Sequence, residues 1–286
     1  MIARLCIIGV GLIGGSLARA LREAGYCREV VGCGRDSAHL QQAVDLGVID
    51  RYSTDPAQAV TGADMVLVAV PLGAMETVFK AIRDHLDGTA VLTDAGSAKG
   101  SVIEAARQAF GTVPDFFVPG HPIAGTENSG VAASFSGLYR ERRVILTPLE
   151  HTSREALARV RAMWEAAGAV VVRMDPRHHD AVLAATSHLP HVLAFTLVDS
   201  LARLGDRGEV FEFAAGGFRD FTRIASSDPV MWRDICLANG DAIQLMIERF
   251  SEDLQSLNRA VQEHDGQRLL EIFSSAKRAR DRFTRD

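Results

Sequence analysis

A glycine-rich turn between an apolar run and a helix-like segment constrains this chain more than any other feature. The turn has the pattern G-x-G-x-x-G, formed by Gly9, Gly11 and Gly14. In such a turn the first glycine makes the bend, the second lets the backbone approach a pyrophosphate, and the third lets helix and strand pack closely. The pattern alone also fits an ordinary glycine-rich turn. Here a helix-like segment and a second β-type run, 29–33, come after it, and that order favours a dinucleotide site.

Runs of β type and helix-like segments alternate through the first part of the chain. The strand-like runs are Leu5–Ile8, Glu29–Cys33, Met65–Val70, Ala90–Thr93, Phe116–Val118, Val144–Thr147 and Ala169–Arg173. The helix-like segments are Ser16–Ala24, Ser37–Leu46, Gly73–Leu86, Lys99–Phe110 and Ser153–Ala167. Apolar strands separated by helices indicate a mostly parallel sheet with both faces covered. No obvious helix lies between the fifth and sixth runs, and we expect the topology to change there.

The pattern changes near residue 174, and almost every residue from 177 to 286 is helical in character. Asp175-Pro176 is suited to enter a helix, since proline fits the first turn, and Asp228-Pro229 is suited to start another helix with Asp228 as its cap. The sequence therefore predicts an α/β Rossmann-type dinucleotide-binding domain at 1–174, followed by an all-α domain at 175–286.

The helical part contains a long apolar stretch, Ala181–Val198, which also holds His188, Pro190, His191 and Thr196. Its polar residues and its proline predict a core helix rather than a membrane span, bent at Pro190. Long apolar helices of this kind also favour packing between copies. We therefore expect a homodimer formed through the helical domain.

Charge and cysteine usage narrow the class of protein. The chain has 286 residues and a net charge of −5, so no basic surface for nucleic acid is expected. Its four cysteines have no metal or redox spacing, which is typical of buried thiols in a reducing compartment. The first strand begins near Arg4 and leaves no room for a signal peptide. We expect a cytoplasmic protein that acts on a small molecule.

Polar residues at the carboxyl ends of parallel strands are the candidates for chemistry, because dinucleotide-dependent reactions take place there. Ser97 follows the fourth strand-like run and His121 follows the fifth, so we expect their side chains within hydrogen-bond reach. His121 is suited to accept a proton from a hydroxyl whose carbon loses a hydride. A histidine that only caps a loop is the alternative. The neutral turn Val70-Pro71-Leu72 is placed to pass beside an adenosine or ribose.

The helical part carries two further clusters. Arg219 and Arg223 are four residues apart and are expected on one helix face, where a planar guanidinium suits a substrate carboxylate. Either arginine fits equally well as a solvated surface charge. His188 and His191 flank Pro190, but no third ligand accompanies them, so no metal site is predicted.

Taken together, these motifs resemble those of the prephenate/arogenate dehydrogenase family, the cyclohexadienyl dehydrogenases of tyrosine biosynthesis. The resemblance covers nearly the whole chain. It rests on residues 9–16, 94–100, 121–127, 187–191, 217–225 and 228–232. The first motif is common to many dehydrogenases, whereas the later ones, in this order, are specific to the family.

The resemblance implies an oxidative decarboxylation, in which hydride leaves the ring carbon that bears the hydroxyl and the ring carboxylate leaves as carbon dioxide. It implies that His121 is the catalytic histidine, hydrogen-bonded to the ring hydroxyl, and that Ser97 orients this group beside the nicotinamide. It implies that Arg223 binds a substrate carboxylate. The residues that line the substrate site by the same resemblance are His191, Trp232, Thr126 and Gly217. It does not distinguish prephenate from arogenate.

The end of the second strand departs from the family pattern. NAD-using members usually carry an acidic residue there that binds the ribose hydroxyls, but here the position is Gly34, followed by Arg35. Gly34 leaves space, and Arg35 and Ser37 are suited to a 2′-phosphate. Asp36 is the residue placed to restore NAD binding. We predict NADP as the favoured cofactor, with NAD as the alternative. The pyrophosphate is expected on the backbone of Leu12 and Ile13, at the start of the first helix.

Two other classes of protein remain open. The first is a two-domain dehydrogenase of the β-hydroxyacid or imine-reducing type, many of which use a lysine of the helical domain as acid or base. Residues 175–275 contain no lysine, which counts against that chemistry. The second is a non-enzymatic, dinucleotide-sensing protein, which would leave Ser97, His121 and Arg223 without a shared purpose.

Overall fold

The structure is a computed structural model that describes residues 1–204 and 211–283. Its main element is a six-stranded parallel sheet with the order β3-β2-β1-β4-β5-β6. The strands are β1 (Ile2–Ile8), β2 (Cys27–Cys33), β3 (Arg51–Ser53), β4 (Met65–Val68), β5 (Val91–Asp94) and β6 (Phe117–Val118). The helices between them are α1 (Leu12–Glu23), α2 (Ser37–Asp45), α3 (Pro56–Val60), α4 (Met75–Ile82) and α5 (Lys99–Phe110). This order is that of the Rossmann-type fold that the alternating pattern predicted.

Both faces of the main sheet are buried. Along β1, Leu5 and Ile7 belong to one apolar core, and Cys6 and Ile8 belong to a second core. Successive side chains of a strand point to opposite faces, so each face of the sheet has its own core. The need to fill both cores explains why the strands are apolar at nearly every position.

A second, three-stranded sheet follows β6 and confirms the predicted change of topology. It consists of β7 (Gly120–Pro122), β8 (Arg143–Leu146) and β9 (Val170–Arg173), and α6 (Arg154–Ala166) connects β8 to β9. Strand β7 is antiparallel to β8, whereas β9 is parallel to it. The sequence did not predict β3 and β7, which have three residues each. Because only Pro119 separates β6 from β7, His121 lies just beyond the carboxyl end of the main sheet.

The described residues after β9 are helical apart from short connections. The helices are α7 (Pro176–Leu183), a π-helical turn (Ala184–His188), α8 (Leu189–Ala202), α9 (Gly216–Thr222), a 3₁₀ turn (Arg223–Ser226), α10 (Pro229–Ala238), α11 (Gly240–Gln262) and α12 (Gly266–Phe283). Asp175 and Asp228 each accept two backbone N–H groups of the helix that follows, which confirms the predicted cap at Asp228 and the predicted helix entry at Asp175-Pro176. Pro190 lies in the first turn of α8, so the irregular turn precedes it. Residues 205–210 and 284–286 of the predicted helical segment lie outside the described residues.

By packing, the chain divides into two compact units, residues 1–240 and 241–286. The change from sheet to helix near residue 174 does not coincide with this division. The domain boundary at 174 therefore stays a prediction.

One stretch of the described chain, Pro176–Ala202, is long and apolar enough to cross a membrane by length and composition alone. A single such stretch is weak evidence for a span. Only 28% of its most apolar window is buried, and in α8 the buried residues are Leu189 and Ala194. The prediction of a core helix is therefore wrong for the single chain, because most of these apolar side chains do not reach the chain's own core.

Candidate active site

Three side chains from two distant segments form a hydrogen-bonded chain at the end of the main sheet. His121, the middle residue of β7, has its Nδ1 2.9 Å from Nε2 of His179. Nδ1 of His179 lies 2.8 Å from Oδ1 of Asp180. His179 is completely buried, whereas His121 is half-buried. The order Asp–His–His leaves one nitrogen of His121, Nε2, without a partner among the described residues.

Asp180 also holds the first turn of α5. Its Oδ1 accepts the backbone N–H of Lys99 at 2.7 Å, and its Oδ2 accepts that of Gly100 at 2.8 Å. Burial raises the pKa of Asp180, but the hydrogen bonds from His179 and from these two amides outweigh it and hold the pKa below its usual value. Asp180 is therefore a carboxylate at neutral pH.

The surroundings of His121 keep its ring neutral. Burial lowers the pKa of His121 well below its usual value, and the charges of His179, Lys99 and His188 lower it further. A neutral imidazole with one free nitrogen is able to accept a proton or a hydrogen bond. The strand-end histidine thus has the state that a general base requires.

Ser97 does not have the position that the sequence analysis expected relative to His121. It is half-buried in the loop between β5 and α5. Among the described residues no hydrogen bond joins Ser97 to His121, whose partner is His179. The expectation of this contact was wrong because the predicted partner came from the neighbouring strand end, whereas the observed one comes from α7.

Aromatic and imidazole rings form the second part of the site. The ring of His191 stacks on Trp232, with centroids 3.8 Å apart and planes 20° apart. Nδ1 of His191 donates to the carbonyl of Ser187, so its Nε2 remains free to accept. His188 lies at the edge of Trp232, and its Nδ1 accepts the amide of Asn239 at 3.1 Å.

Two buried polar atoms of these rings have no partner among the described residues, namely Nε2 of His188 and Nε1 of Trp232. An unpaired buried donor or acceptor is costly, so such atoms point to a ligand or a water molecule. Burial lowers the pKa of His188 to about 4, although the charge of Asp180 opposes the shift.

Arg223 reaches this cluster from the 3₁₀ turn after α9. Its Nη1 lies 3.1 Å from Oε2 of Glu127, and the two side chains are 60% and 41% exposed. Burial lowers the pKa of His191, and the charge of Arg223 adds to that effect. Arg219 lies in α9, and Arg223 continues the helical stretch as the first residue of the 3₁₀ turn, so a shared face of the two arginines stays a prediction.

Thr126 and Gly217 are exposed and do not join the ring cluster in this chain. The hydroxyl of Thr126 bonds only within its own turn, to the backbone of Asn128. Gly217 lies in the first turn of α9, with open space around it.

The glycines of the first turn have the geometry that a dinucleotide requires. Gly9 has a φ of +98°, and a Cβ there would lie 2.3 Å from the carbonyl oxygen of Ala69. A Cβ on Gly14 would lie 2.4 Å from the carbonyl oxygen of Gly9, so this helix and strand pack in direct contact. Around Gly11 nothing lies within 4 Å of a Cβ, which leaves the backbone open to a large anion. Helix α1 has no side-chain cap, so its first amides, on Leu12 and Ile13, face that opening.

The carboxylate that follows the end of β2 is that of Asp36, which is exposed. Gly34 is half-buried and Arg35 and Ser37 are exposed. The side chain of Asp36 caps α2, where its Oδ1 accepts the amides of Ala38 at 2.9 Å and His39 at 3.3 Å. The turn Val70-Pro71-Leu72 follows β4, which ends at Val68 rather than Val70.

Sequence reasoning missed His179, Asp180, Asn239 and Lys99. Lys99 is completely buried and contacts Asp94, at the end of β5. The sequence did contain a signal for this pair, because Asp94 directly follows a predicted strand and Lys99 begins the next predicted helix. No group of three or more metal-ligating side chains occurs in the described part of the chain.

The fold and the site together define a class of protein, the two-part dehydrogenases with a Rossmann-type sheet followed by a helical segment, which here carries the clustered rings of His188, His191 and Trp232. Comparison with known proteins gives the family. The family model "Prephenate dehydrogenase, nucleotide-binding domain" matches residues 17–173, and "Prephenate dehydrogenase, dimerization domain" matches residues 175–275.

Individual relatives match nearly the full length of this chain. The cyclohexadienyl dehydrogenase of Zymomonas mobilis is 40% identical, over 96% of this chain and 94% of that protein. The prephenate dehydrogenase of Bacillus subtilis is 34% identical, over 97% of this chain and 75% of that protein. The crystal structure of the Aquifex aeolicus prephenate dehydrogenase with hydroxyphenyl propionate and NAD⁺ has a TM-score of 0.92 and 37% identity, and covers 99% of both chains.

The chain therefore belongs to the prephenate dehydrogenase family, as its motifs indicated. It is an NAD(P)-dependent dehydrogenase of tyrosine biosynthesis that acts on prephenate, arogenate or both. The two other classes of protein considered from the sequence find no support in these matches.

Proposed function

We propose that His121 is the general base of this enzyme and that its free Nε2 receives the hydrogen bond of the ring hydroxyl. The single observation that carries this proposal is a neutral imidazole with one unpartnered nitrogen at the strand end. As hydride leaves the ring carbon, His121 stabilises the developing charge on the hydroxyl oxygen. His121 takes up the hydroxyl proton and returns it to that oxygen once the ring carboxylate has left as carbon dioxide, so the product is a phenol. The bound nicotinamide supplies the hydride acceptor.

Ser97 lies on the loop between β5 and α5 and is proposed to orient the ring hydroxyl next to the nicotinamide. Its side chain has no hydrogen-bond partner among the described residues and is therefore available to substrate or cofactor.

Arg223 is proposed to bind a carboxylate of the substrate, in place of the exposed carboxylate of Glu127 that it contacts here. A substrate carboxylate that is partly desolvated would be a stronger partner than this exposed pair. His191 and Trp232 form one wall for the ring, and Thr126 and Gly217 are proposed to line the outer end of the site.

For the cofactor, we infer a site made of Gly9, Gly11 and Gly14, the amides of Leu12 and Ile13, and the turn Val70-Pro71-Leu72 with Ser97. The preference is proposed to be NADP over NAD. The argument rests on Gly34 and Arg35 at the end of β2, with Ser37 beside them, and on the use of Asp36 as a helix cap.

The assembly is proposed to be a cytoplasmic homodimer, joined through residues 175–286, with 1–174 as the dinucleotide-binding domain. Within the unit 241–286, many large apolar side chains are exposed: Leu245, Ile247, Leu254, Val261, Leu270 and Phe273. A monomeric protein rarely exposes so many apolar groups on two helices. Light scattering on the purified protein should give twice the mass of one chain, and a monomer at micromolar concentration would contradict this assembly.

The function is tested by adding prephenate or arogenate with each nicotinamide cofactor and following the absorbance of the reduced cofactor. We expect turnover with at least one ring substrate and a higher kcat/KM with NADP than with NAD. Absence of reduction with all four combinations would contradict the proposed chemistry.

A further inference from the structure

We propose that His179 and Asp180 are positioning residues that fix the tautomer of His121 in which Nδ1 carries the proton and Nε2 is free. This inference deepens the proposed role of His121 and rests on it. Neither residue touches the reacting atoms. Their effect passes through two hydrogen bonds, His121 Nδ1 to His179 Nε2 and His179 Nδ1 to Asp180 Oδ1.

The tautomers follow from the chemistry of the acceptor at the end of the chain. Asp180 is ionised and able only to accept, so Nδ1 of His179 must carry a hydrogen and donate it. When Nδ1 carries the only hydrogen of the His179 ring, Nε2 has a lone pair and accepts. Its partner, Nδ1 of His121, is therefore the donor, and the lone pair of His121 is on Nε2. Nε2 is the nitrogen of His121 that takes no part in the hydrogen bonds to His179 and Asp180.

The charges around the two histidines agree with this arrangement. Lys99, which is paired with Asp94, lies on one side of His121, and His188 contributes from the π-helical turn. Both lower the pKa of His121 and so disfavour a second proton on its ring. Asp180 is the carboxylate hydrogen-bonded into the chain, and it is placed to stabilise the positive charge that His121 gains when it takes up a proton.

Asp180 is itself fixed by the fold. Both of its oxygens accept amides of the first turn of α5, and the same turn begins with the buried Lys99. Asn239 donates to the carbonyl oxygen of Asp180 and to His188, which ties α10 to the same point. The carboxylate therefore cannot rotate away from His179 without the loss of two backbone hydrogen bonds.

The test uses Asp180→Asn in the full-length enzyme. The oxygen of asparagine still accepts one amide of the first turn of α5, so this turn keeps one of its two hydrogen bonds to residue 180. With the oxygen toward the amide of Gly100, the NH₂ group of asparagine replaces Oδ1, gives up the bond from Lys99 and donates to His179. That donation inverts both tautomers and places a hydrogen on Nε2 of His121. We expect kcat to fall about 10²–10⁴-fold, the range for loss of general-base catalysis, with KM and the cofactor Kd within about threefold of wild type. Asp175→Asn, which replaces the cap of α7, is the matched control and should retain its kcat.

A second pair of variants tests whether residue 179 acts through its hydrogen-bond acceptor or only by filling space. The side-chain oxygen of His179→Gln is able to accept from His121, whereas His179→Ala offers no acceptor. We expect the glutamine variant to retain at least tenfold more kcat than the alanine variant. Equal kcat in the two would overturn the inference.

The tautomer itself is read from long-range ¹H–¹⁵N spectra of protein labelled at histidine, with His121 assigned by its loss in His121→Asn. We expect an unprotonated Nε2 and a protonated Nδ1 in the wild type, and the reverse in Asp180→Asn. The reverse tautomer in the wild type would overturn the inference without any reference to activity. A His121→Asn variant with near-native kcat would instead contradict the proposed function. An inactive His121→Asn beside a fully active Asp180→Asn would contradict only the positioning role.

Discussion

Nζ of Lys99 lies 2.5 Å from Oδ2 of Asp94, and neither side chain has any exposed surface. The same Nζ donates to the carbonyl of Gly120 at 2.6 Å, and the other oxygen of Asp94 accepts the Gly120 amide at 3.0 Å. The pair thus holds the residue immediately before His121 by both of its backbone groups. Since β7 has only three residues, this ion pair does much to determine where the histidine lies.

Removing one member of this pair should destabilise the fold strongly. Lys99→Met keeps the length of the side chain but leaves Asp94 buried without its cation, for which a loss of about 3–5 kcal/mol in the free energy of unfolding is expected. Asp94→Asn combined with Lys99→Met removes both charges and should recover part of that loss. Urea denaturation at a fixed protein concentration measures both. A loss below about 1 kcal/mol in the single variant would mean that the pair is not essential to this region.

His121→Asn should reduce the chemical step and leave cofactor binding nearly intact. Loss of a positioned general base typically costs ~10²–10⁴ in rate. Steady-state kinetics gives kcat, and fluorescence titration with the reduced cofactor gives its Kd. A variant with near-native kcat would refute the assignment of His121.

The pH dependence of stability should reveal the buried histidine next to Trp232. His188 has a pKa of about 4 in the folded chain and about 6.5 when unfolded, so the unfolded state binds its proton first as the pH falls. Protonation of His188 in the unfolded state lowers the free energy of unfolding. This loss is absent above about pH 6.5, reaches about 2 kcal/mol at pH 5 and grows until about pH 4. Urea denaturation should show that the free energy of unfolding falls less between pH 7 and pH 5 in His188→Gln than in the wild type. Equal losses in the two proteins would contradict the depressed pKa.

The fold was predictable because strands that are buried on both faces of a sheet are apolar at nearly every position. Runs such as 29–33 and 65–68 are apolar at nearly every position, and each occurs as a strand in the structure. Strands β3 and β7 carry no such mark, since three residues are too few to show a period. The bounds of β4 were overestimated by two residues, because Ala69 and Val70 remain apolar after the strand has ended.

The site was predictable only where it depends on strand ends. His121 was found because it lies three residues after the end of β6, but its partner His179 is 58 residues away, and that contact depends on how α7 docks. Lys99 escaped notice because lysine is seldom fully buried. The charge that compensates it, on Asp94, becomes evident only once the loop between β5 and α5 has been folded.

Arg223→Ala should weaken substrate binding specifically. Loss of a charge-assisted bond to a partly desolvated carboxylate costs on the order of 2–5 kcal/mol, so KM for the ring substrate should rise steeply while the cofactor Kd changes little. Arg219→Ala is the matched control, because that arginine is exposed on the preceding helix. Equal losses for substrate and cofactor would indicate a structural role for Arg223. A larger effect in the control would mean that Arg219 is the carboxylate ligand.

The end of β2 leads to a prediction about the 2′-position of the cofactor. A carboxylate there would accept both ribose hydroxyls and repel a phosphate, but Gly34 lacks one, and a Cβ at this position would meet only Leu40 at 3.5 Å. Asp36 is the nearest replacement, yet its Oδ1 accepts two amides of α2. If the carboxylate of Asp36 moved into the ribose site, α2 would lose its cap and about 1 kcal/mol of stability.

Arg35, in contrast, is exposed and makes no side-chain hydrogen bond within the described residues, so its guanidinium is free to bind a phosphate. Arg35→Ala should weaken NADP by roughly 1.5–3 kcal/mol, the range for a hydrogen bond to a charged group, and barely affect NAD. Binding titrations with both cofactors on wild type and variant measure the difference. The preference is wrong if the wild type shows a higher kcat/KM with NAD than with NADP, in which case Asp36 does leave its helix for the ribose.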